Sequence, residues 1–258
     1  MEKKSDLSIQ NLPFRIGLAE RIVEIRPLYR DICMLCRDYV LSDQQTEPEI
    51  IVTVSETDIN REAEAARREN EKAGLVVAYS SAYLESITVY RQIAAAMVEK
   101  DTLMMHGVVI STRGEGYMIT ALSGVGKTTR AKLWVDHVPD SFVVNGDKPL
   151  LRVTDSGVYA YGTPWCGKEG LNVNTSVPLR AILLLERSDD GNRMEEVGFG
   201  EAFPALLRQT FRPGSSQARR QTLSLLQAIA GKVKLYRFCS EPTVEAVQLA
   251  WETAWEKQ

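Results

Sequence analysis

The chemistry of this chain is concentrated where a lysine and a threonine follow two closely spaced glycines, Gly124-Val125-Gly126-Lys127-Thr128. Residues of these types in this order bind phosphate. The backbone N–H groups of Gly124, Val125 and Gly126 can wrap an anion. A helix that starts near Lys127 adds the positive end of its dipole. Lys127 would reach the outer phosphates of a nucleotide, and the Thr128 hydroxyl would ligate magnesium. Ser123 and Thr129 belong to the same cradle. The usual pattern opens on glycine, and here Ala121 takes that place while the rest of the core is intact.

Other residues can act on a phosphate held there. The apolar run Phe142-Val143-Val144 leads through Asn145-Gly146 to an acid, Asp147. A carboxylate at that place can hold magnesium, directly or through water, or accept the proton of an attacking hydroxyl. Asn-Gly-Asp is also a strong turn sequence in its own right. Upstream, His106 opens His106-Gly107-Val108-Val109. An imidazole at a strand start can donate to a transferring phosphoryl group or stabilise the acid. Asp147, His106 and Lys127 are thus the catalytic candidates, and Thr128 and Asp147 the metal ligands. The glycine-rich loop over residues 162–170 offers Lys168 as positive charge for a phosphate and Glu169 as a grip on a substrate amine or on magnesium. Trp165 in that loop either stacks on a substrate or plugs the core. Arg180 and Arg187 flank an apolar strand and read as surface charges.

Elements of an α/β chain must position these groups. Strands are expected over residues 104–111, 117–121, 142–145, 149–153, 158–161, 179–185 and 233–238. Helices are expected over 127–138, 201–210, 216–230 and 242–257. Strands interleaved with helices indicate α/β. Ahead of them, short strands are expected at 14–18, 21–25 and 49–54. A helix over 27–41 carries Leu28, Ile32, Leu35 and Tyr39 at three- and four-residue spacing. A charged helix capped by Asp58 runs to Lys72 and reads as a solvated face. A further helix over 81–99 puts Leu84, Ile87, Tyr90, Ile93 and Met97 on one side. The division expected is a small N-terminal α+β region, residues 1–100, and a nucleotide-binding domain, residues 101–258.

Composition narrows the class. The 258 residues carry a net charge of −3, which gives no global reason to expect nucleic-acid binding. No apolar run approaches a membrane span, and the N-terminus leads into polar residues instead of a signal core. A cytoplasmic protein without nucleic-acid or membrane partners is the expectation. Cys33-Met34-Leu35-Cys36 has redox or metal spacing, but His106 and His137 are the two histidines of the chain, so a zinc site lacks ligands. The pair reads as helix residues.

Taken together, His106-Gly107-Val108-Val109, residues 116–129 and Val143-Val144-Asn145-Gly146-Asp147 resemble the catalytic domain of the HPr kinase/phosphorylase family. That family combines a His-Gly strand, a Gly-x-Ser-Gly-x-Gly-Lys-Ser/Thr loop and an Asp-Asp pair at the following strand end. The similarity spans about residues 104–240 and is sharpest over 106–152. The resemblance implies a phosphoenolpyruvate-carboxykinase-like P-loop core, a mixed sheet with flanking helices. It implies an ATP- and magnesium-dependent kinase in which Lys127 and Thr128 contact phosphate and metal. Asp147 would act on a seryl hydroxyl, and His106 would lie near the transferred phosphate.

The chain departs from that family at two places. Gly146 stands where the first acid of the pair belongs, and Gly167-Lys168-Glu169-Gly170-Leu171 replaces a capture motif built on Arg-Gly-Leu-Gly-Ile. A serine-bearing small molecule or peptide/protein suits this better than HPr. The donor stays open among ATP, ADP and pyrophosphate, and a homo-oligomer is left open. A non-catalytic nucleotide-binding accessory module and an ATPase of a peptide-modification pathway are the other readings.

Overall fold

The computed structural model describes residues 12–72 and 74–256. The chain divides into two compact units, one ending at Ile93 and the other beginning at Ala94.

In the first unit, β1 (Phe14–Leu18) and β2 (Arg21–Arg26) form a hairpin, and β3 (Ile50–Thr53) pairs parallel to β2. The two-residue turn Ala19-Glu20 takes φ of 47° and 60°, the left-handed geometry that lets a tight turn follow the strand twist. Ile16, Val23, Ile25 and Val52 are almost wholly buried, as period-two alternation requires.

The helix expected over 27–41 is shorter. α1 spans Asp31–Leu35, and one tight turn covers Arg37–Tyr39. The chain leaves helical geometry because its next residues pair with β1. Val40 bridges Ile16, and the Leu41 N–H donates to the Arg15 carbonyl at 3.0 Å. Cys36 in this stretch is buried, and burial pushes its thiol up.

α2 (Glu56–Lys72) starts earlier than Asp58 because Ser55 caps it. The Asp58 N–H donates to Ser55 Oγ, and the Ser55 N–H donates back to the Asp58 carboxylate at 3.0 Å. Only Ile59 of this helix is buried among its described residues, so it is the solvated helix its charges foretold. α3 (Ser81–Met97) buries Leu84, Tyr90, Ile93 and Met97, and also an acid, Glu85.

The second unit is a mixed sheet with helices on both faces. Its strands are β4 (Thr102–Met104), β5 (Val108–Thr112), β6 (Glu115–Thr120), β7 (Ser141–Asn145), β8 (Leu150–Thr154), β9 (Gly157–Tyr161), β10 (Ser176–Arg187), β11 (Arg193–Glu196) and β12 (Lys234–Ser240). The order is β4-β8-β9-β10-β6-β5-β7, with β12 on β10 and β11 on β12. β10 runs parallel to β6 and β12, whereas the other pairs are antiparallel. The helices are α4 (Lys127–His137), α5 (Phe199–Gln209), α6 (Ser216–Ala230) and α7 (Val244–Glu256).

Side chains alternate between two cores along each central strand. Ala181, Leu183 and Leu185 face Ala131 and Trp134 of α4 and Val247 and Ala250 of α7. Ile182 and Leu184 face Ala202 and Leu206 of α5 and Leu225 and Ile229 of α6. The continuous apolar run of β10 is what a strand covered on both faces needs.

Two strand expectations change. The strand expected over 104–111 is two, β4 and β5, broken at Met105-His106-Gly107. β4 pairs with β8, whereas β5 pairs with β6 and β7, so the chain must change neighbours between them. Gly107 permits the crossing. A β-carbon there would lie 2.4 Å from Met118 Cε and 2.9 Å from the Ile119 carbonyl. β11 is a strand the periodicity did not single out. Among the described residues no helix is long and apolar enough to cross a membrane.

Candidate functional site

The glycine-rich loop joins β6 to α4, as the motif requires. Gly124 (φ 78°) and Gly126 (φ 108°) hold left-handed conformations that only glycine adopts freely. At Gly126 a β-carbon would also lie 2.4 Å from Arg130 Nη1. Three cations hold the loop carbonyls, Lys127 and Arg130 from within and Arg187 from the exposed side. Lys127 Nζ donates to the Ala121 and Leu122 carbonyls at 3.0 and 3.3 Å. Arg130 Nη1 reaches those of Val125 and Gly126 at 3.3 and 3.4 Å, and Arg187 Nη2 that of Gly124 at 2.5 Å.

A trans peptide points its N–H opposite its carbonyl. Tying the carbonyls of residues 124–126 to arginines therefore aims the amides of Gly126 and Lys127 the other way, whereas the Val125 N–H donates within the loop to the Leu122 carbonyl at 3.4 Å. No side chain caps α4, so the donors of its first turn are available to an anion. Ser123, Gly124 and Thr129 are exposed, and Val125, Gly126 and Thr128 are half-buried. Burial pushes the Lys127 ammonium down, with the charge of Asp147 acting in the opposite sense.

Asp147 follows β7 and sits between an imidazole and an ammonium group. Its Oδ1 lies 3.0 Å from His106 Nε2, and its Oδ2 takes the Lys148 ammonium. Burial alone would raise this carboxyl. The His106 hydrogen bond and the Lys148 charge outweigh it and hold Asp147 at about 2. The cluster hangs on backbone bonds that fix both partners. The Gly107 N–H donates to the Asp147 carbonyl at 2.9 Å. Thr120, the last residue before the loop, donates its hydroxyl to the His106 carbonyl at 2.7 Å. Asn145, fully buried, accepts the N–H groups of Asp147 and Lys148 at 3.0 and 2.7 Å and donates to Thr163.

Residues 162–170 border this cluster. Trp165 is buried, so of the two roles open to it the core-filling one is seen. Gly167 (φ 80°) packs against Asp147, where a β-carbon would be 3.2 Å from Asp147 Cβ. Lys168 and Glu169 are exposed, and Glu169 pairs with Lys132 of α4 at 2.5 Å. The Glu169 carboxylate is thereby tied to the helix behind the loop. Gly146, at the place of a first acid, has no room for one. A β-carbon there would lie 2.8 Å from the Cys166 carbonyl and 3.3 Å from that of Leu171.

The structure thus brings His106, Asp147 and the Lys127 loop to one edge of the sheet, and it adds residues the sequence did not flag. Arg187 is exposed, as its surface-charge reading has it, and also holds the loop. Arg180, read the same way, is half-buried and bonds Glu115 and the carbonyls of Ala254 and Trp255. Arg130 is buried and anchored on Ser240. Gln209 lies against His106, with Oε1 3.0 Å from Nδ1. Each of these contacts joins residues far apart in the chain, so no local spacing announces it.

The site suits a phosphate ester with magnesium in most respects. The loop amides and Lys127 suit the anion. The Thr128 hydroxyl makes no hydrogen bond among the described residues and is free to ligate a metal. Asp147 would share its carboxylate between a metal and Lys148. Among the described residues no three His, Cys, Asp or Glu side chains cluster around a common point. Magnesium needs no such cage, since it keeps waters and substrate phosphates as ligands.

No protein-family model matches the chain. No curated protein matches it either. Among solved structures the chain is similar to the HPr(Ser) kinase/phosphatase from Coxiella burnetii. The two share 14% sequence identity, the match covers 59% of this chain and 88% of that one, and the TM-score is 0.36. A likeness of that degree carries no functional argument.

Proposed function

We propose that the second unit is a nucleotide- and magnesium-dependent phosphotransferase that acts on a serine hydroxyl of a small molecule or of a peptide or protein. The observation that carries this reading is the Asp147 carboxylate held by His106 and Lys148 beside the Lys127 loop. The combined motifs of the sequence, which resemble those of HPr kinases, support it from an independent side.

A bound nucleotide with magnesium would supply the phosphoryl group and neutralise its oxygens. The protein's own part is then positioning and charge. The amides at the start of α4 and Lys127 orient the phosphate tail. The Thr128 hydroxyl would help to hold the metal. Asp147 accepts a hydrogen bond from the acceptor hydroxyl and aims its oxygen. A carboxylate held at about 2 is a weak base at neutral pH, so orientation is its larger contribution. His106 keeps that carboxylate in place through Nε2, 3.0 Å from Asp147 Oδ1.

One observation favours the accessory-module reading instead. Gly146 has no space for the missing acid, and Lys148 occupies one oxygen of the acid that remains. Incubation of the protein with ATP, magnesium and free serine or seryl peptides separates the two. The kinase reading predicts phosphoserine, lost by about 100-fold or more in Asp147→Asn with nucleotide affinity kept. Nucleotide binding with no phosphoserine on any acceptor would favour the accessory module.

A further inference from the structure

We propose that Gln209 is the positioning residue of His106: it fixes the direction of the imidazole ring. Gln209 ends α5, is 8% exposed, and stands 103 residues from the histidine. It holds His106 twice. The His106 N–H donates to the Gln209 carbonyl at 2.7 Å, and Nδ1 lies 3.0 Å from Oε1. The flanking backbone runs alongside as well. Met105 bridges Thr210, and the Phe211 N–H donates to the Met104 carbonyl at 2.9 Å. The helix that carries Gln209 is itself anchored by Ala202 and Leu206, both fully buried.

The ring needs such a partner. The His106 side chain is 32% exposed, so packing alone does not set its rotation. If it turned over, Cε1 would take the place of Nε2 and the contact with Asp147 would be lost. A primary amide suits this task because it carries an acceptor and a donor on one plane. Toward Nδ1–H it offers Oε1, and toward a bare Nδ1 it offers its NH2 after turning over. With Nδ1 held by the amide, Nε2 stays 3.0 Å from Asp147 Oδ1. The positional part of this inference stands on the contacts alone. Its catalytic consequence rests on the phosphotransferase reading.

The test uses full-length protein labelled with 15N-histidine. Two histidines are present and His137 is exposed, so its ring protons exchange quickly. Wild type is expected to show one slowly exchanging imidazole N–H, absent in His106→Gln. In Gln209→Leu that proton should exchange about tenfold faster or more, and kcat should fall about 10- to 100-fold with nucleotide KM nearly unchanged. Gln209→Met serves in its place if the leucine variant does not fold. Gln209→Glu, which still offers Nδ1 an acceptor, should restore the slow proton. Persistence of the slow proton in the folded leucine or methionine variant would overturn the inference. Loss of that proton with no phosphotransfer by wild type would leave the positioning intact and remove the phosphotransferase reading.

Discussion

Asp147 is the residue on which the proposed transfer turns, and its contacts with His106 and Lys148 make a prediction about stability. The carboxyl is held from its ordinary range down to about 2. A group depressed in the folded state stabilises above its unfolded value near 4, and this contribution disappears as pH falls through the folded value. The contribution at neutral pH is roughly 2 kcal/mol. With a chelator present, the difference in unfolding free energy between wild type and Asp147→Asn should therefore be constant above pH 5 and shrink from pH 4 toward pH 2. Urea titrations across that range measure it, and a difference that grows with acid would contradict the assignment. Lys127 makes a second prediction. Lys127→Ala removes a charged donor from the phosphates, so nucleotide affinity measured by calorimetry should drop about 10- to 100-fold. An unchanged affinity would move the binding site elsewhere.

At the scale of elements, the local signals were readable and the long-range ones were not. The loop, the strand before it and the helix after it follow from two glycines, an apolar run and an amphipathic stretch, and the structure has them where the sequence puts them. The Asp147 turn and the His106-Gly107 step were equally visible, because each is a few adjacent residues. The 27–41 helix was overread, because the pairing of Val40 with Ile16 outweighs a helical spacing that stays formally intact. The contacts of Gln209, Arg130 and Arg187 were hidden for a different reason. Their partners lie 103, 110 and 63 residues away, and a sequence states no register between distant segments.

Two substitutions test the elements directly. Gly146→Asp would not restore a second acid. Its β-carbon meets the Cys166 carbonyl at 2.8 Å, so it should cost about 1–3 kcal/mol in chemical denaturation and leave transfer no faster. In the first unit, Glu85 accepts the N–H groups of Leu28 and Tyr29 at 2.5 and 3.0 Å, although burial raises its carboxyl. Glu85→Ala leaves two backbone donors without their acceptor and should lower stability by about 2–4 kcal/mol. A neutral result would mean that the 27–30 turn finds other partners.

For the second unit as a whole, the sheet explains why the candidate site is where it is. β5 is antiparallel to both β6 and β7, so the end of β6, the start of β5 and the end of β7 lie on one edge. β10 and β12 run parallel to β6, so Arg187 and Ser240 end on that edge too. The loop, His106, Asp147 and the two arginines are thus gathered by strand direction, at the carboxyl ends where α/β sheets place ligands. A crystal structure of the protein with magnesium and a non-hydrolysable ATP analogue tests this most directly. The account predicts the phosphate tail on the amides of residues 126–128, with the terminal phosphate facing the Asp147–His106 pair. A nucleotide bound away from the loop, or none at saturating concentration, would contradict it.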